Sequence, residues 1–154
     1  MKTAFFQSFE DSSDREETPL RLSMVQAELK KNDLSGYLVP RSDVHQGEYV
    51  AACDERLSWL TGFTGSAGIC IVGNDRAGVF VDGRYSIQAK KQTKSPFEVI
   101  QWNKKSFLQW IEKNIVKGEI GFDPWLHSHK EIVALSEAFS DTDIGFVPSD
   151  NLID

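Results

Sequence analysis

The residues best placed to do chemistry lie in a glycine-rich loop over Thr61–Gly68. Its Ser66 resembles the serine of a nucleophile elbow, G-x-S-x-G, but Thr64 stands where the first glycine belongs. The loop glycines lack the spacing of a dinucleotide site, and no Gly-Lys-Ser/Thr follows to make a phosphate-binding loop. We therefore favour a structural role, in which the glycines allow positive φ and close packing at a strand junction. A serine hydrolase using Ser66 is the least favoured functional hypothesis.

A second candidate is the run Asp82-Gly83-Arg84-Tyr85. In one interpretation, Asp82 caps a helix start and Arg84 pairs with a nearby carboxylate. In the other, Arg84 contacts a partner or a substrate carboxylate, because its guanidinium matches that shape. The residue types alone leave both interpretations open.

The three histidines give no convincing metal site. His127 and His129 are two residues apart at a predicted helix start, so they do not share a helical face. His45 lies in a polar loop, where it either organises the loop or belongs to a site. The run Asp54-Glu55-Arg56 predicts a solvated face or a local ion pair, and Arg56 leads into Trp59. No metal-binding set of His, Cys, Asp and Glu is predicted.

Length and charge restrict the class of protein. A chain of 154 residues suits a single domain that needs no disulfide or metal to fold. The net charge of -6 argues against nucleic acid and against a basic membrane surface as partners. Residues 1–6 are too short an apolar run for a signal peptide. With only two cysteines, Cys53 and Cys70, we expect a cytoplasmic location.

Hydrophobic periodicity predicts how these residues are positioned. After an acidic, flexible arm over residues 1–17, residues 18–154 alternate between helical and strand patterns. The segments 69–72 and 79–81 form a hairpin, so the predicted sheet is mixed. The predicted fold class is therefore α/β, a single domain with a mixed sheet flanked by helices.

Several local signals predict where elements begin and end. We expect Thr18 to cap the first helix, Trp59 to Phe63 to be a strand or its end, and Gly118 to end a helix as C′. Asn103 and Ser128 are predicted helix caps, the latter in a capping box with Glu131. Cys70 is predicted to be a small buried side chain in a strand.

Four motifs in this order resemble the creatinase/prolidase N-terminal domain, as found in Xaa-Pro aminopeptidases. They are Pro40–Tyr49, Cys53–Arg56, Thr61–Gly68 and Asp82–Tyr85. The closing segment, Asp150–Asp154, resembles the join to the family's next domain. The resemblance covers residues 19–154, and it implies a mixed sheet flanked by helices with ribonuclease H-like layering.

The resemblance also implies a function for the longer protein. In that family a separate C-terminal domain, absent here, binds two divalent metals, usually manganese, and removes an N-terminal residue that precedes proline. The fragment itself is expected to bind no metal and to have no catalytic residue. Its expected partners are that catalytic domain and a second copy of the chain, with proline-containing peptides as the parent substrate.

We therefore expect a non-catalytic domain that supports oligomerisation and shapes an active-site rim. By family resemblance, the candidate rim or interface residues are His45, Arg56, Phe63 and Arg84. The alternative is a freestanding small-ligand-binding or dimerisation module that uses the glycine loop. Reading the gene beyond codon 154 separates the two hypotheses.

Overall fold

The computed structural model describes Ser13 and residues 15–154. Most of the predicted arm over residues 1–17 lies outside the described residues. Within them, helices and strands alternate as α1 (Thr18–Lys31), β1 (Gly36–Pro40), α2 (Arg56–Thr61), β2 (Gly68–Gly73), β3 (Ala77–Val81), α3 (Ser86–Gln92), β4 (Phe97–Gln101), α4 (Lys104–Asn114), β5 (Gly118–Phe122), α5 (His129–Ala138) and β6 (Ile144–Pro148). Short 3₁₀ turns at Ala52–Asp54 and Gly83–Tyr85 precede α2 and α3.

The six described strands form one mixed sheet in the order β4-β3-β2-β1-β5-β6. Strand β2 runs antiparallel to both β1 and β3, and the other neighbouring pairs are parallel. The predicted hairpin is β2–β3, closed by a bond from the Gly73 amide to the Arg76 carbonyl at 2.7 Å. The mixed sheet is therefore confirmed, and the carboxyl ends of β1, β3, β4, β5 and β6 lie at one edge.

Helices cover both faces of the sheet, and alternate strand residues point into two separate cores. In β1, Tyr37 and Val39 pack with α1, α2 and α3, whereas Leu38 packs with α4 and α5. Phe80 of β3 belongs to the second core, where its ring lies edge-on to Phe107 at 5.0 Å between centroids. This layering confirms the predicted α/β class, and Cys70 is fully buried in the first core as predicted.

The prediction of a strand at Trp59 to Phe63 is wrong. Residues 56–61 form helix α2, which ends at Gly62 with φ of +80°. Leu57, Leu60 and Thr61 are buried on one side of the helix, whereas Trp59 is 39% exposed. Leu60 and Thr61 follow Leu57 by three and four residues, which is the spacing of a helix. The segment is too short for this spacing alone to distinguish a helix from a strand.

Two predicted helix boundaries are also wrong. Thr18 is the first residue of α1 rather than its cap, and its hydroxyl donates to the Arg15 carbonyl at 2.9 Å. Gly118 opens β5 instead of ending α4, which stops at Asn114. It does have a positive φ of +103°, and a Cβ there would lie 2.2 Å from Ser35 Oγ. The positive φ and the close approach of Ser35, rather than helix termination, explain why residue 118 is a glycine.

The other cap predictions are confirmed. Asn103 caps the start of α4, and its side chain accepts from the Ser106 amide at 2.8 Å. Ser128 and Glu131 form the predicted capping box at α5. Asp82 accepts from the Arg84 amide, but the element it caps is the 3₁₀ turn that leads into α3. These contacts connect the strand ends to the helices that follow them.

Candidate functional site

A cavity of about 350 Å³ opens at the sheet edge where the parallel strands end. Its walls come from the residues after β1, β3, β4 and β5 and from the start of β2. In open α/β sheets, this edge is where ligands bind, because loops from neighbouring strands diverge there. The motifs singled out from the sequence also lie in the loops around this edge.

Arg41, the first residue after β1, ties three loops together. One guanidinium nitrogen, Nη2, donates to Glu55 Oε1 at 3.0 Å. The other, Nη1, donates to the carbonyls of Glu48 and Ser66 at 3.2 and 3.3 Å. The Arg41 side chain is only 13% exposed, and its bond to Glu55 is partly buried, whereas the two carbonyl bonds lie at the surface. Arg41 therefore fixes the polar loop after β1 against both the glycine loop and the start of α2.

The glycine loop is organised by aromatic packing. Phe63 is 1% exposed, and its ring meets Tyr85 edge-on at 5.9 Å between centroids. A Cβ at Gly65 would lie 2.2 Å from the Phe63 ring, so only glycine fits there. Ser66 Oγ is 2.5 Å from the Tyr85 hydroxyl. Ser66 thus bonds a phenol, and no imidazole, amine or carboxylate among the described residues is hydrogen-bonded to its hydroxyl as the general base of a nucleophile would be.

His45 lies at the tip of a loop that Asp43 organises. Asp43 Oδ1 accepts from the backbone amides of His45 at 2.9 Å and of Gly47 at 3.2 Å. The Gly47 amide, more than the other contacts, lowers the pKa of the Asp43 carboxyl. The His45 side chain is exposed, so this ordered loop presents an imidazole to solvent.

Arg84 is exposed and bound to its own turn. Its Nε donates to Asp82 Oδ1 at 2.9 Å, and its guanidinium lies 5.6 Å from the Tyr85 ring centroid. This pairing is the main cause that lowers the pKa of the Asp82 carboxyl. With 75% of the side chain exposed, the outer face of the guanidinium is accessible.

Arg56 is directed towards the last residue of the chain. Its Nε and Nη2 donate to the two carboxylate oxygens of Asp154 at 2.7 and 3.0 Å, and Nη1 donates to Asp54 at 3.0 Å. The bond to Asp154 is the main cause that raises the pKa of Arg56. A two-point pair of this kind fixes direction as well as distance. Arg56 therefore holds the closing segment against the start of α2.

The structure does not gather the four candidate residues at one site. Phe63 and Arg84 are connected through Tyr85, and His45 lies in a separate loop at the same sheet edge. Arg56 lies beside the closing segment. None of the four lines the cavity, whose polar wall contains Arg41 and His127 instead. Sequence reasoning missed Arg41 because nothing local distinguishes its role, and it examined His127 only as a metal ligand.

His127 is a buried histidine at the cavity wall. It is 8% exposed, lies edge-on to Phe122 at 5.8 Å, and its Nε2 has no hydrogen-bond partner among the described residues. Burial lowers the pKa of His127, and the charges of Glu131 and Asp123 oppose that effect only in part. The folded chain therefore keeps His127 neutral at a pH where the unfolded chain already binds a proton.

This difference predicts a pH dependence of stability. The folded pKa lies below the unfolded pKa of about 6.5, so the unfolded state binds more protons between the two values. The free energy of unfolding should fall as the pH drops below about 6.5, a window above that of the carboxylates. Urea titrations from pH 7.5 to 4.5 measure it. His127→Gln should remove this slope, whereas a slope retained in His127→Gln and lost in the exposed His129→Gln would contradict the assignment.

Among Ser13 and residues 15–154, no group of three or more His, Cys, Asp or Glu side chains is arranged to hold a metal ion. The residues present therefore do not fit the metal site that the family resemblance implies for the longer protein. No helix among the same residues is long and apolar enough to cross a membrane.

Known proteins resemble this chain in both sequence and fold. It is 39% identical over 113 residues to Xaa-Pro aminopeptidase 2 of Rattus norvegicus, covering 72% of this chain and 17% of that protein. It is 36% identical over 143 residues to the probable Xaa-Pro aminopeptidase P of Coccidioides posadasii (strain RMSCC 757 / Silveira), covering 90% of this chain and 23% of the relative. The chain thus spans about a fifth of these curated relatives.

Solved structures agree with the fold. An X-prolyl aminopeptidase from Caenorhabditis elegans, described as a cytosolic enzyme with a di-nuclear active site, superimposes with a TM-score of 0.78 at 24% identity. That match covers 88% of this chain and 25% of the other. The N-terminal domain of the cytoplasmic peptidase PepQ from Mycobacterium tuberculosis H37Rv gives 0.68 at 23% identity, covering 87% of this chain and 95% of that domain.

The family follows from a match to a family model as well as from these relatives. The model of the creatinase/prolidase N-terminal domain matches residues 21–154, which include every described strand and all four motifs. This chain belongs to the creatinase/prolidase N-terminal domain family.

Proposed function

We propose that this chain is the non-catalytic N-terminal domain of a cytoplasmic Xaa-Pro aminopeptidase, a metallopeptidase that removes a residue preceding proline. The observation that carries the proposal is that Xaa-Pro aminopeptidases match 72% and 90% of this chain with only 17% and 23% of their own length. Two divalent metals, with manganese the expected ion, would belong to the remaining part. The di-nuclear active site described for the Caenorhabditis elegans enzyme supports the expectation of two metals in the longer protein.

The gene sequence beyond codon 154 tests the proposal. We expect the reading frame to continue for several hundred residues and to encode clusters of Asp, His and Glu suited to two metals. A stop codon near codon 154 in the natural gene would favour the freestanding module instead. This observation needs no folded protein, so it cannot be confused with a failure to express an active enzyme.

Arg56 has a specific role in this proposal: it directs the join to the catalytic domain. The closing segment is fixed to the domain by Arg56, by a bond from Asn151 Nδ2 to Asp123 Oδ2 at 2.8 Å, and by the partly buried Leu152 and Ile153, which pack against the first core. A segment held at both ends in this way sets the direction in which the next residues leave. Arg56 thus acts on the position of the active site without touching substrate.

His45 and Arg84 are the proposed rim residues, because both expose a polar group on an ordered turn at the same sheet edge. Phe63 supports the rim from below, since its buried ring holds Tyr85 and the glycine loop. For oligomerisation, the support is two large exposed aromatic side chains, Tyr49 and Trp125, which are 89% and 72% exposed. Sedimentation velocity of this chain measures self-association directly.

Replacing Arg84 in the longer protein tests the rim role. Arg84→Ala should raise KM for an Xaa-Pro peptide about tenfold and leave kcat within about twofold, as expected when one charge-assisted contact to bound substrate is lost. Lys90→Ala, which removes an exposed cation from α3, is the matched control and should change neither constant. Unchanged kinetics for Arg84→Ala would mean that Arg84 serves only its bond to Asp82.

A further inference from the structure

The two edge strands of the sheet, β4 and β6, differ in how well they are protected against pairing with another strand. An edge strand presents unpaired amides and carbonyls, and proteins usually blunt such an edge with proline, lysine or a bulge. Strand β6 ends at Pro148, which has no amide, and its Ile144 amide already donates to Thr142 Oγ1 at 3.2 Å. Strand β4 contains neither proline nor lysine over Phe97–Gln101. The β4 edge is therefore the less protected of the two.

The register of β3 and β4 shows which backbone groups of β4 face away from the sheet. The Trp102 amide donates to the Val81 carbonyl at 2.8 Å, and Val81 is aligned with Gln101. In a parallel pair, alternate residues of a strand direct both of their backbone groups at the neighbouring strand, so Glu98 and Ile100 bond β3. The residues whose backbone groups point outward are Phe97, Val99 and Gln101.

Some of these outward groups are already bonded within the chain. The Phe97 amide donates to the Lys94 carbonyl at 3.1 Å, and the Gln101 carbonyl accepts from Ser106 Oγ at 3.1 Å. The amides of Val99 and Gln101 and the carbonyls of Phe97 and Val99 make no hydrogen bond to the described residues. The β4 edge thus offers two donors and two acceptors to a partner.

We propose that the β4 edge binds the same edge of a second copy of this chain, antiparallel about a two-fold axis at Val99. The axis places Val99 opposite its counterpart, so each Val99 amide donates to the Val99 carbonyl of the other copy. It also places Gln101 opposite Phe97 of the other copy, so each Gln101 amide donates to a Phe97 carbonyl. Every unpartnered outward group is then used. The groups that this pairing does not need are the two already bonded within the chain.

The side chains of β4 suit this pairing. Glu98 lies opposite Ile100 of the other copy, so no like charges meet across the axis. The Glu98 carboxylate is turned towards its own helix α4, where Oε2 accepts from Trp110 Nε1 at 2.9 Å. Val99 and Ile100 are half-buried in the single chain, and pairing would cover more of both. A second copy matches this set of donors and acceptors by symmetry, whereas an unrelated strand would have to match it by chance.

This interface rests on the self-association in the proposed function and specifies its surface. It does not depend on the peptidase assignment, which the gene sequence tests separately. A pair of five-residue strands is expected to bury less than about 1,000 Å², which corresponds to a weak dimer. We therefore expect a dissociation constant of about 0.1 mM.

Sedimentation velocity and amide exchange test the dimer on this chain without any variant. Between 0.05 and 1 mM chain, the dimeric share should rise from about 40% to about 80%. Over the same range, NMR should show about threefold slower hydrogen exchange at the amides of Val99 and Gln101, because pairing shields them. The outward amide of Phe146, on the β6 edge, is the control and should exchange at a rate independent of concentration.

Proline and alanine variants at one position locate the interface. Val99→Pro removes the two central donors and no bond to β3, and proline is tolerated at such a position of an edge strand. It should weaken the dimer at least about tenfold, whereas Val99→Ala, which loses the same side chain but keeps the amide, should stay within about threefold. If Val99→Pro does not fold, Gln101→Pro and Gln101→Ala make the same comparison.

Three results would overturn the proposal. One is a chain that stays monomeric at 1 mM. The second is exchange at Val99 and Gln101 that is slow at every concentration, which would mean that the chain itself covers this edge. The third is equal association of the proline and alanine variants. In that case self-association would remain, but it would use another surface, such as the one at Tyr49 and Trp125.

Discussion

Replacing Phe63 with alanine is expected to lower the free energy of unfolding of this domain by about 3–5 kcal/mol. The ring is 1% exposed, and it contacts Tyr85 as well as the backbone at Gly65 and Gly68. Removing it leaves a cavity beneath the glycine loop, and the surrounding strand and helix can collapse into that space only in part. Urea denaturation monitored by circular dichroism measures the change.

Two companion variants make the Phe63 prediction specific. Phe63→Leu keeps most of the volume and should cost less than about 1.5 kcal/mol. It remains measurable even if the alanine variant is largely unfolded, which is realistic when a whole domain has about 5–15 kcal/mol of stability. Ile87→Ala, at a side chain that is 73% exposed, should change stability by less than about 0.5 kcal/mol. A loss as small for Phe63→Ala as for Ile87→Ala would show that Phe63 is a surface contact and not a support.

Replacing Arg41 with alanine should cost about 1–3 kcal/mol, because it removes one partly buried bond to a carboxylate and two bonds to carbonyls at the surface. Glu55 is left without its cation, and the carbonyls of Glu48 and Ser66 lose a donor. The three loops that these bonds join should become mobile together. Hydrogen exchange measured by mass spectrometry would report this as faster exchange in residues 42–50 and 62–67.

A lysine at the same position tests the geometry of the guanidinium. Arg41→Lys keeps the charge but has no planar fork, so it should recover about half of the lost stability. Arg76→Ala, at an exposed position in the β2–β3 turn, is the matched control and should be neutral. Full recovery by lysine would contradict the clamp, because it would mean that charge alone holds the loops.

Local chemistry explains what the sequence predicted correctly. The caps at Asn103 and Ser128 depend on side chains that bond amides three residues away, so a short stretch of sequence contains the whole interaction. The β2–β3 hairpin is similarly local, with a turn of polar residues between two apolar runs. Cys70 could be placed in a core because both of its neighbours in the strand are apolar.

The predictions that were wrong or missing concern residues whose environment depends on the tertiary structure. Thr61 reads as a polar loop residue but is fully buried in α2, where its hydroxyl donates to the Leu57 carbonyl at 2.7 Å. The cavity brings together Arg41 and His127, which are far apart in the chain and meet only because β1 and β5 are parallel neighbours. The order of strands in the sheet, which no local pattern states, creates this site.

We propose that this chain is the non-catalytic part of a longer Xaa-Pro aminopeptidase. The most direct test is to incubate the purified chain with Mn²⁺ and a fluorogenic Xaa-Pro-Pro peptide, alongside a full-length Xaa-Pro aminopeptidase as positive control. We predict no product above the protein-free control, because the proposal assigns the metal-binding residues to the part of the relatives that this chain does not match. Cleavage before proline that increases with the concentration of this chain and is abolished by a chelator would contradict the account.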